Sequence, residues 1–162
     1  MASEKMTKIF KERKTVEQVE EGYELAPKFD EDGLMPVVTT DASNGDVLML
    51  GYQNEEALKM TIETGEAYYW SRSRKCLWHK GATSGLIQKI IDIRIDDDQD
   101  AIWLKVELQG LEASCHVGYK SCFYRSIPTG NTKEDIKLIY KEDEKVFEPE
   151  KVYGDAPNPT KL

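Results

Sequence analysis

Apolar positions change their spacing several times along the chain. Over residues 1–30 they are scattered among charges (Met6, Ile9, Phe10, Val16, Val19, Tyr23), which suits a short amphipathic helix followed by an arm. From Leu34 they come in runs: Leu34 to Val38, a turn at Asn44-Gly45, then Val47-Leu48-Met49-Leu50, the pattern of an antiparallel hairpin. Asn54 before Glu55 and Glu56 offers an N-cap with acids at the positive end of the dipole, and Gly65 supplies a stop, so one helix is predicted over 54–64.

Strand character resumes at Ala67 to Ser71, at Ile87 to Ile95 with Ile91, Ile93 and Ile95 in alternation, and at Ala101 to Glu107. The link between the last two, Asp96-Asp97-Asp98-Gln99-Asp100, is too short for a crossover helix, so those strands should pair antiparallel with the acids at the bend. After Ile127 the chain is punctuated by Pro128, Gly130, Pro149, Gly154, Pro157 and Pro159 and carries only short apolar runs such as Ile136 to Tyr140. The expected organisation is an arm (1–30), one mostly β (α+β) domain with one or two helices (31–127), and an extension that wraps it (128–162).

A length of 162 residues with 40% hydrophobic residues allows one core that buries roughly two-thirds of the unfolded surface. Lysine and arginine number 22 against 30 acids, a net charge of -8 that argues against nucleic acid as a partner but leaves room for a small phosphorylated ligand on a local basic cluster. The charged start lacks the apolar core of a signal peptide and no stretch approaches the ~20 apolar residues of a membrane span, so a soluble, cytoplasmic protein is expected. Three cysteines, Cys76, Cys115 and Cys122, are too few for a disulfide scaffold at this length, which points their use toward metal binding or chemistry.

Three clusters carry candidate chemistry. The acid run concentrates charge that must be solvated or neutralised by a cation. If the segment is extended, Asp96, Asp98 and Asp100 share one face, suited to magnesium, while Asp97 faces the other way. Seen alone, the run reads first as a solvated acidic turn. Cys115-His116 and Cys122 put two thiolates and an imidazole within eight residues, donors that zinc accepts, although buried cysteines with a packed histidine have the same pattern. The third cluster mixes hydroxyls, cations and glycines: Ser71, Arg72, Ser73, Arg74, His79, Lys80, Gly81, Thr83, Ser84 and Gly85. Such groups suit phosphate oxygens, and Trp70 or Trp78 could stack on a base.

In order and spacing these strings resemble the phosphoribosyl-AMP cyclohydrolase family over about Gly33 to Arg125. The strings are Gly33-Leu34-Met35-Pro36, Tyr69 to Arg74, Leu77-Trp78-His79-Lys80-Gly81-x-Thr83-Ser84-Gly85, the aspartate run, and Cys115-His116-x-Gly118-x-x-Ser121-Cys122-Phe123-Tyr124-Arg125. The last is highly specific as a whole. The resemblance implies two antiparallel sheets forming a pseudo-barrel, a homodimer, one zinc per subunit with ligands drawn from both subunits, and magnesium at Asp96, Asp98 and Asp100. Family members have a cysteine at the place of Asp97, normally the third zinc thiolate. Carboxylate oxygen also binds zinc, so Asp97, Cys115 and Cys122 form the expected zinc set, with Cys76 as the alternative source of the lost sulfur.

The resemblance further implies a metal-dependent hydrolase that opens the adenine ring of an N1-phosphoribosylated AMP in histidine biosynthesis. His116 is the expected general base, with His79 as second candidate. Arg72, Arg74, Lys80, Lys120 and Arg125, helped by Ser71, Ser73, Thr83 and Ser84, are expected to hold the two phosphates. The rival readings are a non-catalytic nucleotide-binding protein and a hydrolase for another cyclic amidine. A zinc nucleoside deaminase lacks its His-x-Glu and Pro-Cys-x-x-Cys strings here. Too little chain follows Arg125 for the helical pyrophosphohydrolase domain sometimes fused in this family, so a monofunctional chain is expected.

Overall fold

A computed structural model describes residues 9–130 and 135–162; residues 1–8, with Met6 of the N-terminal pattern, and 131–134 lie outside the described residues. In chain order the elements are α1 (Val16–Glu21), β1 (Met35–Asp41), β2 (Val47–Gln53), α2 (Glu55–Thr64), β3 (Tyr68–Ser71), β4 (Cys76–His79), β5 (Gln88–Ile95), β6 (Ile102–Leu108), β7 (Arg125–Ser126), β8 (Ile139–Tyr140) and α3 (Pro149–Tyr153).

Helix α2 begins where the Asn54 side chain accepts the Ala57 N–H and ends where Gly65 turns left-handed at φ 73°, the conformation that favours glycine. Its buried residue Thr61 accepts hydrogen bonds from Gln53 Nε2 (3.0 Å) and the Tyr68 N–H (3.0 Å), which pins the helix to β2 and β3. The N-terminal helix is only six residues, opened by a capping box between Thr15 and Gln18. A helix that short depends on tertiary partners.

The architecture is mostly strands with few helices, as the pattern predicts, but three features differ. The main sheet has the order β2-β1-β6-β5, and its central pair, β1 with β6, is parallel (Val37 opposite Ile102, Thr39 opposite Leu104). The long return through β2 to β5 lets the chain enter β6 from the same end as β1, which a short hairpin link never allows. The remaining strands form two small sheets, β3-β4 and β7-β8, in place of one second sheet. None closes into a barrel. A lone bridge from Glu66 to Lys89 joins the chain ahead of β3 to β5 without becoming a ladder, leaving β2 and β5 as edges.

The alternation expected through Ile91, Ile93 and Ile95 breaks at a register shift between Ile90 and Asp92. Ile90, Ile93 and Ile95 pack on the core while Ile91 is 55% exposed, because a bulge inserts one unpaired residue and re-aims the side chains beyond it. The core lies between the main sheet and the β3-β4 hairpin, with Met35, Leu48, Leu58, Tyr69 and Leu104 buried. No helix among the described residues is long and apolar enough to cross a membrane.

Candidate active site

Cys115 and Cys122 lie on a loop of turns between β6 and β7 whose backbone folds on itself: the Cys115 N–H donates to Tyr119 O (3.1 Å), the Gly118 N–H to Cys115 O (3.0 Å) and the Ser114 N–H to Lys120 O (2.8 Å). The loop is fastened to β2 by the Cys122 N–H to Leu48 O (2.7 Å) and by Ser121 Oγ to Val47 O (2.6 Å). Folding the loop back this way brings the two sulfurs within hydrogen-bonding reach of each other. Cys115 is buried and Cys122 exposed; neither is in a disulfide.

The two thiols are shifted in opposite directions. A hydrogen bond from Cys122, the Val117 N–H and the Lys80 cation outweigh burial and bring the Cys115 thiol down to about 6. The bond to Cys115 and the charge of that neighbour push Cys122 the other way. Two neighbouring sulfurs that resist ionising together are what a soft cation resolves, so the donor set fits zinc.

Lys80 is 3% exposed, a rare state for a lysine. Its Nζ donates to the Ser114 carbonyl (2.8 Å) and lies 5.3 Å from the centre of the Trp78 ring. Burial lowers its pKa, and the nearby Cys122 and Cys115 oppose that shift. A buried hydrogen-bond chain leads to the same place: Thr39 Oγ1 and Tyr69 Oη at 2.6 Å, Tyr69 Oη donating to Gln88 Oε1 (2.6 Å), and Gln88 Nε2 donating to Ser114 Oγ (3.2 Å). Gly81 permits the close turn after Lys80: at φ 91° a Cβ there would stand 2.4 Å from the Ile87 nitrogen.

His116 follows Cys115 directly, and its Nε2 is buried with no hydrogen-bond partner among the described residues. Burial lowers its pKa, the Asn158 side chain works against that and the Lys80 cation adds to it, so the imidazole is neutral at neutral pH. His79 is placed differently. It stacks on Tyr68 (4.4 Å, 9°) with Nε2 3.3 Å from Glu66 Oε1, and strand alternation puts it on the face opposite Trp78 and Lys80.

The aspartate run is a turn and not an extended segment. The Gln99 N–H donates to Asp96 O (3.1 Å), the Asp96 N–H to Ala101 O (3.0 Å), and Gln99 takes φ 57°. Strand alternation therefore does not govern it: Asp96, Asp97 and Asp98 are exposed with carboxylate oxygens within 4.8 Å of one another. Asp96 Oδ1 also accepts the N–H groups of Asp100 and Ala101 (2.9 and 3.1 Å). These bonds outweigh burial and hold its carboxyl below the ordinary value, while hydrogen bonding to Asp96, burial and the charge of Asp98 raise Asp100 to about 6. Crowded carboxylates of this kind fit a hard, partly hydrated cation.

Within one chain no group of three ligand residues among the described residues includes a cysteine; Asp97 and the thiol pair are apart. Cys76 is exposed at the end of β4 far from Lys80, roughly 13 Å away at strand rise.

The basic cluster spreads along the β3-β4 hairpin. Arg72 lies 4.0 Å from the Tyr52 ring centre and Arg74 5.7 Å from that of Trp78, with Arg74 Nε donating to Ser71 Oγ (3.3 Å). Ser73 and Thr83 are exposed, and Arg125 lies over Tyr124. Ser84 Oγ accepts the Leu86 N–H (3.2 Å) and lies within hydrogen-bonding reach of the Tyr153 hydroxyl. Lys120 Nζ is instead engaged by Asp41 (2.9 Å) and Asp46 (3.6 Å). Sequence reasoning missed Gln88, Glu142, Tyr153 and Asn158, whose only signal was polarity in a strand or in a tail.

The model of the family described as phosphoribosyl-AMP cyclohydrolase matches residues 49–124. A phosphoribosyl-AMP cyclohydrolase of Rhodopseudomonas palustris (strain TIE-1) is 55% identical over 138 residues, 85% of this chain and 90% of that protein. One of Nitrobacter winogradskyi is 50% identical over 140 residues, covering 86% and 94%.

Proposed function

The chain belongs to the phosphoribosyl-AMP cyclohydrolase family, and from that membership we infer that it hydrolyses 1-(5-phosphoribosyl)-AMP at the C6–N1 bond, giving formimino-AICAR ribotide in histidine biosynthesis. Ribosylation at N1 leaves C6 electron-poor. The oxygen of water bonds to C6, the C6–N1 bond breaks, N1 takes a proton, and C6 becomes an amide carbonyl.

The observation that carries this reading is the pair of sulfurs together with His116, next to Cys115 in the chain, whose buried Nε2 has no hydrogen-bond partner among the described residues. Zinc held by Cys115, Cys122 and a carboxylate would supply the acidity that lowers the pKa of water from about 15.7 to about 7. His116, neutral and adjacent, takes the proton of the attacking water and delivers one to N1. Lys80 sets a positive charge behind the thiol pair. Arg72, Arg74 and Arg125 remain for the phosphates, and Asp96, Asp98 and Asp100 of the acidic turn would hold magnesium, which would supply positive charge for a phosphorylated substrate.

The third zinc ligand is Asp97 of a second copy. Supporting this is the separation of Asp97 from the thiol pair within one chain, which leaves the donor set incomplete unless two copies associate as a homodimer. The protein acts in the cytoplasm, where its thiols stay reduced. Incubating it with 1-(5-phosphoribosyl)-AMP, zinc and magnesium should give the ultraviolet absorbance change of ring opening, abolished by chelation and restored by zinc. No turnover with the thiol pair occupied by zinc contradicts the reading.

A further inference from the structure

The two sulfurs depend on the shape of a loop that has neither helix nor ladder to stiffen it. The peptide groups just ahead of Cys122 are gripped from outside the loop. Glu142 accepts the Lys120 N–H on Oε1 (2.9 Å) and the Ser121 N–H on Oε2 (3.1 Å), one carboxylate oxygen to each of two consecutive amides. Bonds of this charge-assisted kind are stronger than neutral ones and fix the orientation of the amides that donate them.

Glu142 is itself held on both sides. Ahead of it, Tyr140 pairs with Arg125 in the β7-β8 ladder and the Lys141 N–H donates to Tyr124 O (2.8 Å). Beyond it, the Val146 N–H donates to Gly118 O (2.7 Å), and Phe147 is buried with Leu86 and Ala113. The approach at Gly118 is close enough that a Cβ there, at φ 110°, would stand 2.3 Å from the Phe147 oxygen. The segment from Ile139 to Phe147 therefore fastens the loop at Tyr124, at Lys120 and Ser121, and at Gly118.

We propose that Glu142 is a positioning residue for the thiol pair: by holding the amides of Lys120 and Ser121 it sets where the Cys122 sulfur stands relative to Cys115, and so presets the pair for a soft metal ion. The proposal rests on the reading of Cys115 and Cys122 as metal ligands. Groups that orient ligands in this way typically change metal affinity about 10–100-fold when removed.

Cobalt(II) reports both affinity and geometry, through its thiolate-to-metal absorption and its ligand-field bands. We expect Glu142→Ala to bind cobalt about 10–100-fold more weakly than the native protein, with altered ligand-field bands. Glu142→Gln keeps one acceptor oxygen and should fall between the two, and it carries the test if the alanine variant does not fold. Glu144→Ala removes the same charge from an exposed neighbour and should behave as native. A native cobalt spectrum in Glu142→Ala overturns the proposal whatever the affinity, since lost charge alone changes affinity and not sulfur geometry. Absence of the thiolate band from the native protein would instead overturn the reading of the cysteines.

Discussion

The Asp96–Asp100 turn and the Cys115–Cys122 loop are both irregular backbone, and each is held by one end of the chain. At the turn, the buried Gln99 side chain accepts the Ala26 N–H (2.8 Å) and donates to Val19 O (2.9 Å) and Glu24 O (3.2 Å), while Arg13 donates to Asp98 O (2.9 Å). At the loop, Glu142 accepts two amides and Gly118 meets Phe147. The donors differ: exposed carboxylates in one, a buried thiol beside a buried lysine in the other. Solvated oxygen suits a cation that keeps its waters, and sulfur suits one that sheds them. The shared lesson is that polar chain ends, which bury little, still fix the backbone of a site through a few hydrogen bonds.

The sharpest break in this comparison comes from removing a sulfur. Cys122→Ser should abolish zinc uptake, measured by metal analysis, and bring turnover to background. His116→Ala comes next: loss of a general base should lower kcat about 10²–10⁴-fold while zinc content stays near native, read by steady-state kinetics beside metal analysis.

Gln99→Ala should act on the other region. It leaves the Ala26 N–H and the Val19 and Glu24 carbonyls unpartnered, so denaturant titration should show a loss of about 1–3 kcal/mol. Its magnesium requirement should rise while its cobalt spectrum stays native. The smallest effect is electrostatic. Hydrogen bonds from Lys120 and Ser43 outweigh burial and hold Asp41 below its ordinary 3.8. Its contribution is complete above that value and is lost as the pH falls through the lower folded value. Lys120→Met should therefore cost about 1 kcal/mol at neutral pH and less in acid, seen as a flatter acid limb of thermal stability against pH.

Local signals were legible. The hairpin Leu34 to Leu50 and the helix after Asn54 announce themselves through a turn dipeptide, a cap and a stop, and β1, β2 and α2 lie where these place them. Strand β4 was not legible, because Cys76 to His79 is only four residues long between basic and glycine-rich segments and exists through pairing with β3 across a turn that holds Lys75 at φ 51°. Nor was the parallel β1-β6 register, which is a contact between distant segments. The Cys115, His116 and Cys122 string stood out for its chemistry, whereas Glu142 is one acid among many in a polar tail and gains its role only from where β8 sets it. At the aspartates, strand alternation assumed an extended backbone that the left-handed Gln99 abolishes.

In the proposed dimer the turn and the loop are two halves of one site, joined across two copies of the chain. Mixing inactive Asp97→Ala subunits with inactive Cys122→Ser subunits tests it most directly, since a mixed dimer has one intact pairing of Asp97 with both cysteines. The account predicts that each variant alone lacks zinc and turnover, and that the equilibrated mixture recovers about a quarter of native turnover, one site in two for half of the dimers. Full zinc content in Asp97→Ala alone, or no recovery in mixtures shown to contain the mixed dimer, would contradict it.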